Sequence, residues 1–495
     1  MLLEMAVDGF GDRVVTGRRA NGLTPARLQA LARGGARMVR DARADAIVHL
    51  AVNGPVFPAA LFAAAHAGVP LVPVNYRLGV EQLDGLLARH PRALVIADPE
   101  QASAAARAGL GARAPQQWLA DAAATNPGDT DPGSVDTDAP AVVIYTSGTT
   151  SAPKGVLLRH QNLVAYVLGT VEFASAGDDE AALMSVPPYH IAAVSNVLTN
   201  LYAGRRVVAL PAFTPQDWLE LVRSEGVTNA MVVPTMLARI MERDDLDRAV
   251  PSLRSLAYGG AKMPPRVIGK ALREWPHVEF VNAYGLTETS STICVLGPAE
   301  HRAAVASPDP VVRERLSSVG RAVPGIEIEV RDGDGAVVPP GVPGRIWVRG
   351  EQVSGEYAGS GPAVDARGFF DTRDQGRLDA DGYLFVEGRV DDTIIRGAEN
   401  IAPAEIEDVL LRHPDVADVV VVGVPDEEWG QRVEAVVVPT PGARSDGDAL
   451  RDYVRAALRG SKTPERIVFW PDLPRTATGK LVRRDIVADL AGRPI

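Results

Sequence analysis

The sequence predicts an α/β protein: a large N-terminal domain of parallel α/β sheets with an added β section, then a small α+β C-terminal domain. Three observations carry this. Strand-like and helix-like runs alternate through the first part of the chain; period-two alternation with Asp-Gly turns takes over from about residue 317; and a compact α+β segment follows residue 391. Strands alternating with helices imply crossover connections and a largely parallel sheet. At 495 residues the chain also exceeds what one core sustains, ~250–300 residues, so at least two units are expected.

The elements follow in order. "LTPARLQALARGGARMVRDA" has helical apolar spacing behind a Thr-Pro start signal. "AIVHLAV" reads as a buried strand, "PVFPAALFAAAHAG" as a helix, "VPLVPV" as a strand, "GVEQLDGLLARH" as a helix and "ALVIAD" as a strand. A turn-rich stretch, "NPGDTDPGSVDTDAP", is expected to be an exposed loop. "APAVVIY" is a strand, and "VLLRHQNLVAYVLG" can turn helical. The alternation returns in "RRVVAL", "TPQDWLELVRSEG", "NAMVVP", "TMLARIMERD", "LRSLAYGG", "PPRVIGKALREW" and "VEFVNAYG". "GIEIEVRDGDGAVVPPGVPGRIWVRG" suggests antiparallel strands. The last segment reads helix ("PAEIEDVLLRHP"), two strands ("VADVVVVGVPD", "RVEAVVVP"), helix ("DALRDYVRAALRG") and strand ("RIVFW"), enough for a small domain. The charged stretch "GRVDDTIIRG" is the expected boundary.

Charge and cysteine content exclude several classes. A formal charge of −11 argues against a general nucleic-acid or membrane-surface binder, which needs a basic face. One cysteine, Cys294, excludes an intramolecular disulfide, and no Cys/His cluster has zinc spacing. The start, "MLLEMAVDGFGDRVV", has acids where a signal peptide needs a basic end. The most apolar region, "GPVFPAALFAAAHAGVPLVPV", is broken by prolines and glycines and is a poor membrane span, so a cytoplasmic protein is expected. Of 51 basic residues only five are lysines: Lys154, Lys262, Lys270, Lys462 and Lys480. Lys154 and Lys480 each sit in a Gly/Thr-rich loop, where a compact ammonium differs from a guanidinium.

Four stretches can carry chemistry. "YTSGTTSAPKG" combines small hydroxyls, glycines and Lys154; its backbone N–H groups and side-chain oxygens can converge on an anion, or it can be a surface turn. It is not the common nucleotide loop, because its lysine falls after the turn. "NAYGLTETS" places Tyr284, Thr287 and Glu288 at a strand end, where a ring can stack on a base and a carboxylate can hold Mg²⁺; a capped strand end is the plain alternative. "DTRDQGRLDADGYLFVEGR" sets Asp374 fifteen residues before Arg389, as a ribose-binding pair or a hairpin with charged ends. "LPRTATGKLVRR" presents Lys480 near the C-terminus.

Taken together with "YGGA" and "RVDDTIIRGAENIAPAEIE", these motifs, in this order, resemble those of the adenylate-forming superfamily: acyl-CoA synthetases, peptide-synthetase adenylation domains and firefly luciferase. The resemblance covers essentially the whole chain. It implies an ATP-dependent acyl-CoA synthetase, an AMP-forming acid–thiol ligase using ATP, Mg²⁺ and CoA on an apolar carboxylic acid. Thr146, Ser147, Gly148, Thr149, Thr150 and Lys154 would bind the leaving phosphates, Thr287 would contact phosphate and Glu288 would hold the metal. Gly260, Ala261, Asn282 and Tyr284 would frame adenine; Asp374, with Arg389, would take the ribose; Lys480 would bridge carboxylate and α-phosphate.

The resemblance also implies residues 1–388 as the adenylate-forming domain, 389–396 as a hinge with Asp391 at its pivot, and 397–495 as a rotating lid. Rotation would bring Gly397 and its neighbours to a pantetheine tunnel, with Trp429 packing on the arm or else anchoring the small domain. His190 is the expected gate between acyl and thiol sites, or a histidine capping a turn. Ala192, Ala193, Val194 and Val232 suggest an apolar acyl pocket for an alkyl, alicyclic or aryl acid, and "HIAAVSN" lacks the aspartate that amino-acid activators use. Departures from the pattern are Ser151, Ala398, Arg345 and Arg373, of which Ala398 can narrow the thiol tunnel. A carrier protein's phosphopantetheine is the alternative thiol, and a non-catalytic acyl- or nucleotide-binding protein the alternative of another class.

Overall fold

The computed structural model describes residues 1–125, 136–146, 153–396, 399–426, 429–443, 446–458, 460–476 and 481–491. Two large sheets dominate the N-terminal part. In the eight-stranded sheet, Ile47–Leu50 lies parallel between Leu71–Pro73 and Leu94–Ala97, and Leu71–Pro73 pairs in parallel with Pro140–Thr146. In the seven-stranded sheet, Arg206–Ala209, Ala181–Met184, Asn229–Val232, Ser255–Gly259 and Glu279–Leu286 are successive parallel neighbours. These strands are mostly buried along their length, as two-sided coverage by crossover helices requires.

The helix starts and stops are local. Thr24 accepts a hydrogen bond from the Arg27 backbone N–H, with Pro25 in the first turn of the helix Pro25–Asp41. Thr214 and Pro215 open the helix Pro215–Ser224 in the same way. One apolar core joins the facing sheets, including Ile47, Leu71 and Val142 from one and Leu183, Val207 and Leu256 from the other. Asn53 crosses the same interface, donating from Nδ2 to the carbonyls of Val186 (2.8 Å) and Leu210 (3.2 Å).

The helix expected to begin at Val156 begins at His160 instead. Residues Lys154–Arg159 return as a strand antiparallel to Pro140–Thr146, pairing Val156 with Ile144 and Leu157 with Val143. The buried run Val156–Leu158 completes an open sheet edge, and that pairing outweighs the helical potential of its flank. Of the turn-rich stretch 126–140, positions 126–135 lie outside the described residues.

A four-stranded antiparallel sheet follows: Glu327–Arg331, Gly344–Arg349, Phe370–Leu378 and Leu384–Arg389. After it come the hairpin of Ile394–Arg396 and Glu399–Ile401, and a three-stranded sheet. In that sheet Gly430–Pro439 lies between antiparallel Val416–Asp426 and parallel Arg466–Phe469. Helices Pro403–Leu410, Gly447–Ala457 and Arg483–Ala491 accompany this part, which has apolar clusters of its own.

Replacing Asn53 by Ala strands two buried carbonyls at the sheet–sheet interface. The expected loss is ~1–3 kcal/mol of unfolding free energy; denaturant unfolding with an unchanged midpoint would remove Asn53 from its stapling role.

Candidate active site

Adjacent parallel strands deliver the first group of residues. Tyr258 and Gly259 pair with Asn282 and Ala283, so the turn holding Gly260 and Ala261 and the strand end holding Asn282 and Tyr284 emerge side by side. A methyl on Gly259 would lie 2.2 Å from the Ala283 carbonyl oxygen, so only glycine permits this approach. Asn282 donates to the Ser318 carbonyl at 3.0 Å, which holds its amide beside Tyr284.

The chain then reverses sharply. Thr287–Thr289 forms one 3-10 turn, and Ser290 and Ser291 sit at φ 56° and 120°, a backbone region that side chains rarely occupy. Several buried groups hold this turn. The Thr289 hydroxyl donates to the Ser291 carbonyl at 2.8 Å. Gln352, itself buried, donates from Nε2 to the carbonyls of Thr289 (3.0 Å) and Thr292 (2.8 Å), while the Ser290 hydroxyl donates to the Gln352 carbonyl. The turn therefore presents Thr287 and Glu288 from a fixed backbone.

Glu288 faces the strand pair that frames the hydroxyl-rich loop. The Tyr357 hydroxyl donates to Glu288 Oε1 at 2.9 Å, and Lys154 Nζ lies 5.5 Å from the centre of the Tyr357 ring. Burial, then the Glu288 charge, push the Tyr357 hydroxyl above its ordinary range, so it stays a donor. Tyr357 reaches this place because its strand pairs with Val156. The loop's flanks are gripped from one side: Arg89 donates to the Pro153 carbonyl at 2.9 Å and covers the Tyr145 ring, and His90 Nε2 meets the Tyr145 hydroxyl at 2.8 Å. Thr146 and Lys154 are opposed in the register that closes the loop.

A second tyrosine makes the second bridge. The Tyr284 hydroxyl donates to Asp374 Oδ2 at 2.5 Å. Burial first, then Asp374, hold that hydroxyl well above its usual range. Asp374 and Arg389 are direct cross-strand partners, and their side chains lie 3.3 Å apart, so the fifteen-residue spacing is a hairpin with its charged ends at the cleft. The Asp374 side chain is nearly buried and Arg389 is 40% exposed, leaving the guanidinium side open.

The remaining candidates are placed as follows. His190 is the N-cap residue of the helix Ile191–Ala203, but its side chain makes no cap hydrogen bond; its ring packs 4.7 Å from that of Tyr189. A cavity of about 180 Å³ lies between this helix and the seven-stranded sheet. Ala192 and Met231 line it; Ala193, Val194 and Val232, expected in the pocket, are instead fully buried in the core. Their side of the helix and strand faces inward to the sheet packing. Asp391 lies in a short 3-10 turn, 3.8 Å from Arg373, which adopts φ 59°. Trp429 is 43% exposed, with the Arg396 guanidinium 5.2 Å from its ring, so it does not anchor a core. Ser147, Gly148, Thr149, Thr150, Ser151, Gly397, Ala398 and Lys480 lie outside the described residues.

Two residues that sequence reading missed are Tyr357 and Gln352. Neither belongs to a motif, and each works by reaching a residue distant in sequence. Among the described residues no group of three or more His, Cys, Asp or Glu could enclose a metal. A single carboxylate, Glu288, beside a phosphate-binding loop fits Mg²⁺, which takes one or two protein carboxylates and completes its shell with phosphates and water. No helix among the described residues is long and apolar enough to cross a membrane.

Comparison with known proteins agrees with this geometry. Residues 3–358 match the model of the AMP-binding enzyme family, and residues 405–480 that of the AMP-binding enzyme C-terminal domain. The chain is similar to a feruloyl-CoA synthase of Amycolatopsis sp, 38% identical over 451 residues, covering 89% of this chain and 88% of that one. It is also similar to the fatty acid–[acyl-carrier-protein] ligase ScoC of Streptomyces coeruleorubidus, at 33% identity over 465 residues and coverage of 89% and 86%. Among solved structures, o-succinylbenzoate coenzyme A synthetase from Bacillus subtilis, in complex with ATP and magnesium ion, superposes with a TM-score of 0.83 at 27% identity. That superposition covers 98% of each chain.

Tyr357→Phe removes only the hydroxyl that holds Glu288. The expected result is an Mg²⁺ requirement for adenylation raised about tenfold at unchanged thermal stability; a magnesium titration superimposable on wild type would break the link between Tyr357 and the metal carboxylate.

Proposed function

The chain belongs to the AMP-binding enzyme family, and from that membership we infer an AMP-forming acid–thiol ligase that uses ATP, Mg²⁺ and CoA on a compact, ring-sized carboxylic acid. The observation that carries this reading is the pair of tyrosine bridges. Tyr357 links the loop lysine Lys154 to Glu288, and Tyr284, on the same strand end as Glu288, links to Asp374 and Arg389. One cleft thus gathers a cation for leaving phosphates, a metal carboxylate and a carboxylate suited to ribose hydroxyls.

In the first half-reaction a carboxylate oxygen bonds to the α-phosphorus of ATP and pyrophosphate leaves, giving acyl-AMP. A thiol sulfur then bonds to the acyl carbon and AMP leaves. Charge on the phosphates, rather than a protein nucleophile, is the problem to solve, so positioning and electrostatic clamping carry the catalysis. Lys154 and Thr146, with the loop between them, would hold the departing phosphates, and Thr287 would add a hydroxyl. Mg²⁺ held by Glu288 would neutralise phosphate oxygens. Asn282, Gly260 and Ala261 would border the base, and Asp374 with Arg389 the ribose. Lys480 would steady the incoming carboxylate against the α-phosphate. The domain division at 389–396, with Asp391 as pivot, would let the C-terminal part withdraw Lys480 and bring the hairpin 394–401 forward for the thiol.

The acid's size follows from the cavity. About 180 Å³ compares with the ~150 Å³ cavity that takes up benzene. One ring and a short linker fit; a long acyl chain does not. The relation to an acyl-carrier-protein ligase favours a carrier-bound pantetheine as the second reading for the thiol.

Pyrophosphate release screened over linear, alicyclic, aromatic and amino acids, with and without CoA, tests the reading. Release with ring-bearing acids, and turnover accelerated by CoA, is expected; release indifferent to CoA would point to a carrier protein. No release with any acid would leave only a binding protein. Lys480→Ala should abolish acyl-AMP formation while largely sparing thioester formation from supplied acyl-AMP. Equal loss of both steps would contradict the role given to Lys480.

A further inference from the structure

The acyl cavity is not uniformly apolar. Its near part, toward Gly259 and His190, is walled by Ala192, Met231, Ala257 and Ala283; its far part is walled by Asn196, Thr199, Asn200, Arg205, Asn229 and Ser255. Strand register fixes the direction. Asn229 and Ser255 are partners at one level, Met231 and Ala257 at the next, and Gly259 and Ala283 at the level of the catalytic turns. The helix Ile191–Ala203 runs the same way, from His190 at its start to Asn200 near its end.

Almost every polar group of the far part is already engaged. The Asn200 side-chain oxygen accepts from Arg205 at 3.0 Å, and its Nδ2 donates to the Asn196 carbonyl. The Asn229 side-chain oxygen accepts from the Thr228 hydroxyl at 2.8 Å. Thr199 donates to the Ser195 carbonyl, and Ser195 donates to the Ala192 carbonyl and contacts the Ser291 hydroxyl. Arg205, the one cation in the cavity wall, is neutralised by Glu180 at 2.8 Å. The exception is Asn196, whose Oδ1 is enclosed and has no hydrogen-bond partner. An enclosed carbonyl oxygen without a donor is costly, and natural structures leave few of them.

We propose that the acid activated here carries a neutral hydrogen-bond donor, a hydroxyl, at the end remote from its carboxyl group, and that Asn196 Oδ1 receives it. The distances agree. Asn196 lies six residues along the helix from His190, ~9 Å at the helical rise, the span of an aromatic ring joined to the carboxyl carbon by a two-carbon linker. The donor is neutral because Glu180 already neutralises the only cation in the wall, so a second carboxylate would enter without a partner. Asn196 is thus a specificity-determining residue, acting on binding of the acid's far end and not on the reacting carboxylate.

The proposal rests on the ligase reading above, and the test separates the two. Pyrophosphate release is measured with 3-phenylpropenoic acid, its 4-hydroxy and 4-methoxy derivatives, and its 4-carboxy derivative, for wild type, Asn196→Leu and Asn196→Ala, each checked for folding by thermal unfolding. Wild type is expected to favour the 4-hydroxy acid over the unsubstituted acid by about 10–100-fold in kcat/KM, with the methoxy acid, which lacks the donor, no better than the unsubstituted one. Both variants should bring that ratio close to one. A merely structural role for Asn196 would slow both acids alike and leave the ratio in place, which overturns the proposal, as does a preference for the methoxy or dicarboxylic acid. Absence of release with every acid would instead overturn the ligase reading itself.

Discussion

Everything at this site depends on one backbone reversal, from Gly285 to Ser291. The two chain segments approach so closely that a methyl on Gly285 would lie 1.7 Å from the Ser291 carbonyl oxygen. Two consecutive serines hold positive φ there, at roughly 1–3 kcal/mol each for residues in such regions. The fold meets that cost with buried hydrogen bonds from Gln352 and Thr289. What the reversal accomplishes is geometric. It puts Tyr284 on its entry, Thr287 and Glu288 at its apex, and Ser291 and Thr292 on its exit, where they line the acyl cavity. Metal carboxylate, ribose partner and acyl wall are therefore positioned by a single strained turn, and none can shift without the others.

The two tyrosines set the electrostatics of the cleft. In both, burial is the largest cause keeping the hydroxyl protonated, and the accepting carboxylate adds to it. A phenol held above its ordinary range is a donor throughout the physiological pH span. Glu288 and Asp374 are accordingly oriented by donors that do not titrate where the enzyme works. The carboxylates' other oxygens remain free to turn toward ligand, which is the arrangement a nucleotide site needs before its cations arrive.

Much of this was legible in the sequence, and the remainder was illegible for stateable reasons. The parallel strands were visible because burial on both faces writes continuous apolar runs, and the Asp374–Arg389 spacing because a hairpin maps sequence distance onto a register. Tyr357 and Gln352 were invisible because their partners are supplied by tertiary contact alone. The strand Lys154–Arg159 was mistaken for part of a helix because a short apolar run fits either period, and only an open sheet edge decides. The polar end of the acyl cavity did leave a trace. In "HIAAVSNVLTNLYA" the polar residues 195, 196, 199 and 200 share one helical face, yet the alanines and valines between them suggested a purely apolar pocket.

The contacts between the large and small parts explain how one site can serve two half-reactions. Lys262, next to Gly260 and Ala261, pairs with Asp408 on the helix Pro403–Leu410, and Arg373 approaches Asp391. All four side chains are more than a third exposed or close to it, and such surface pairs are worth ~0–1 kcal/mol each. They hold an orientation without locking it. The apolar clusters, in contrast, are self-contained in the small part, so a rotation at 389–396 would break surface ion pairs and leave the cores intact. Ile395 and Trp429, both exposed here, lie on and beside the hairpin that such a rotation would carry toward the cleft. Their uncovered surface gives the second orientation an apolar contact to gain, and so a reason to be populated once the first half-reaction is complete.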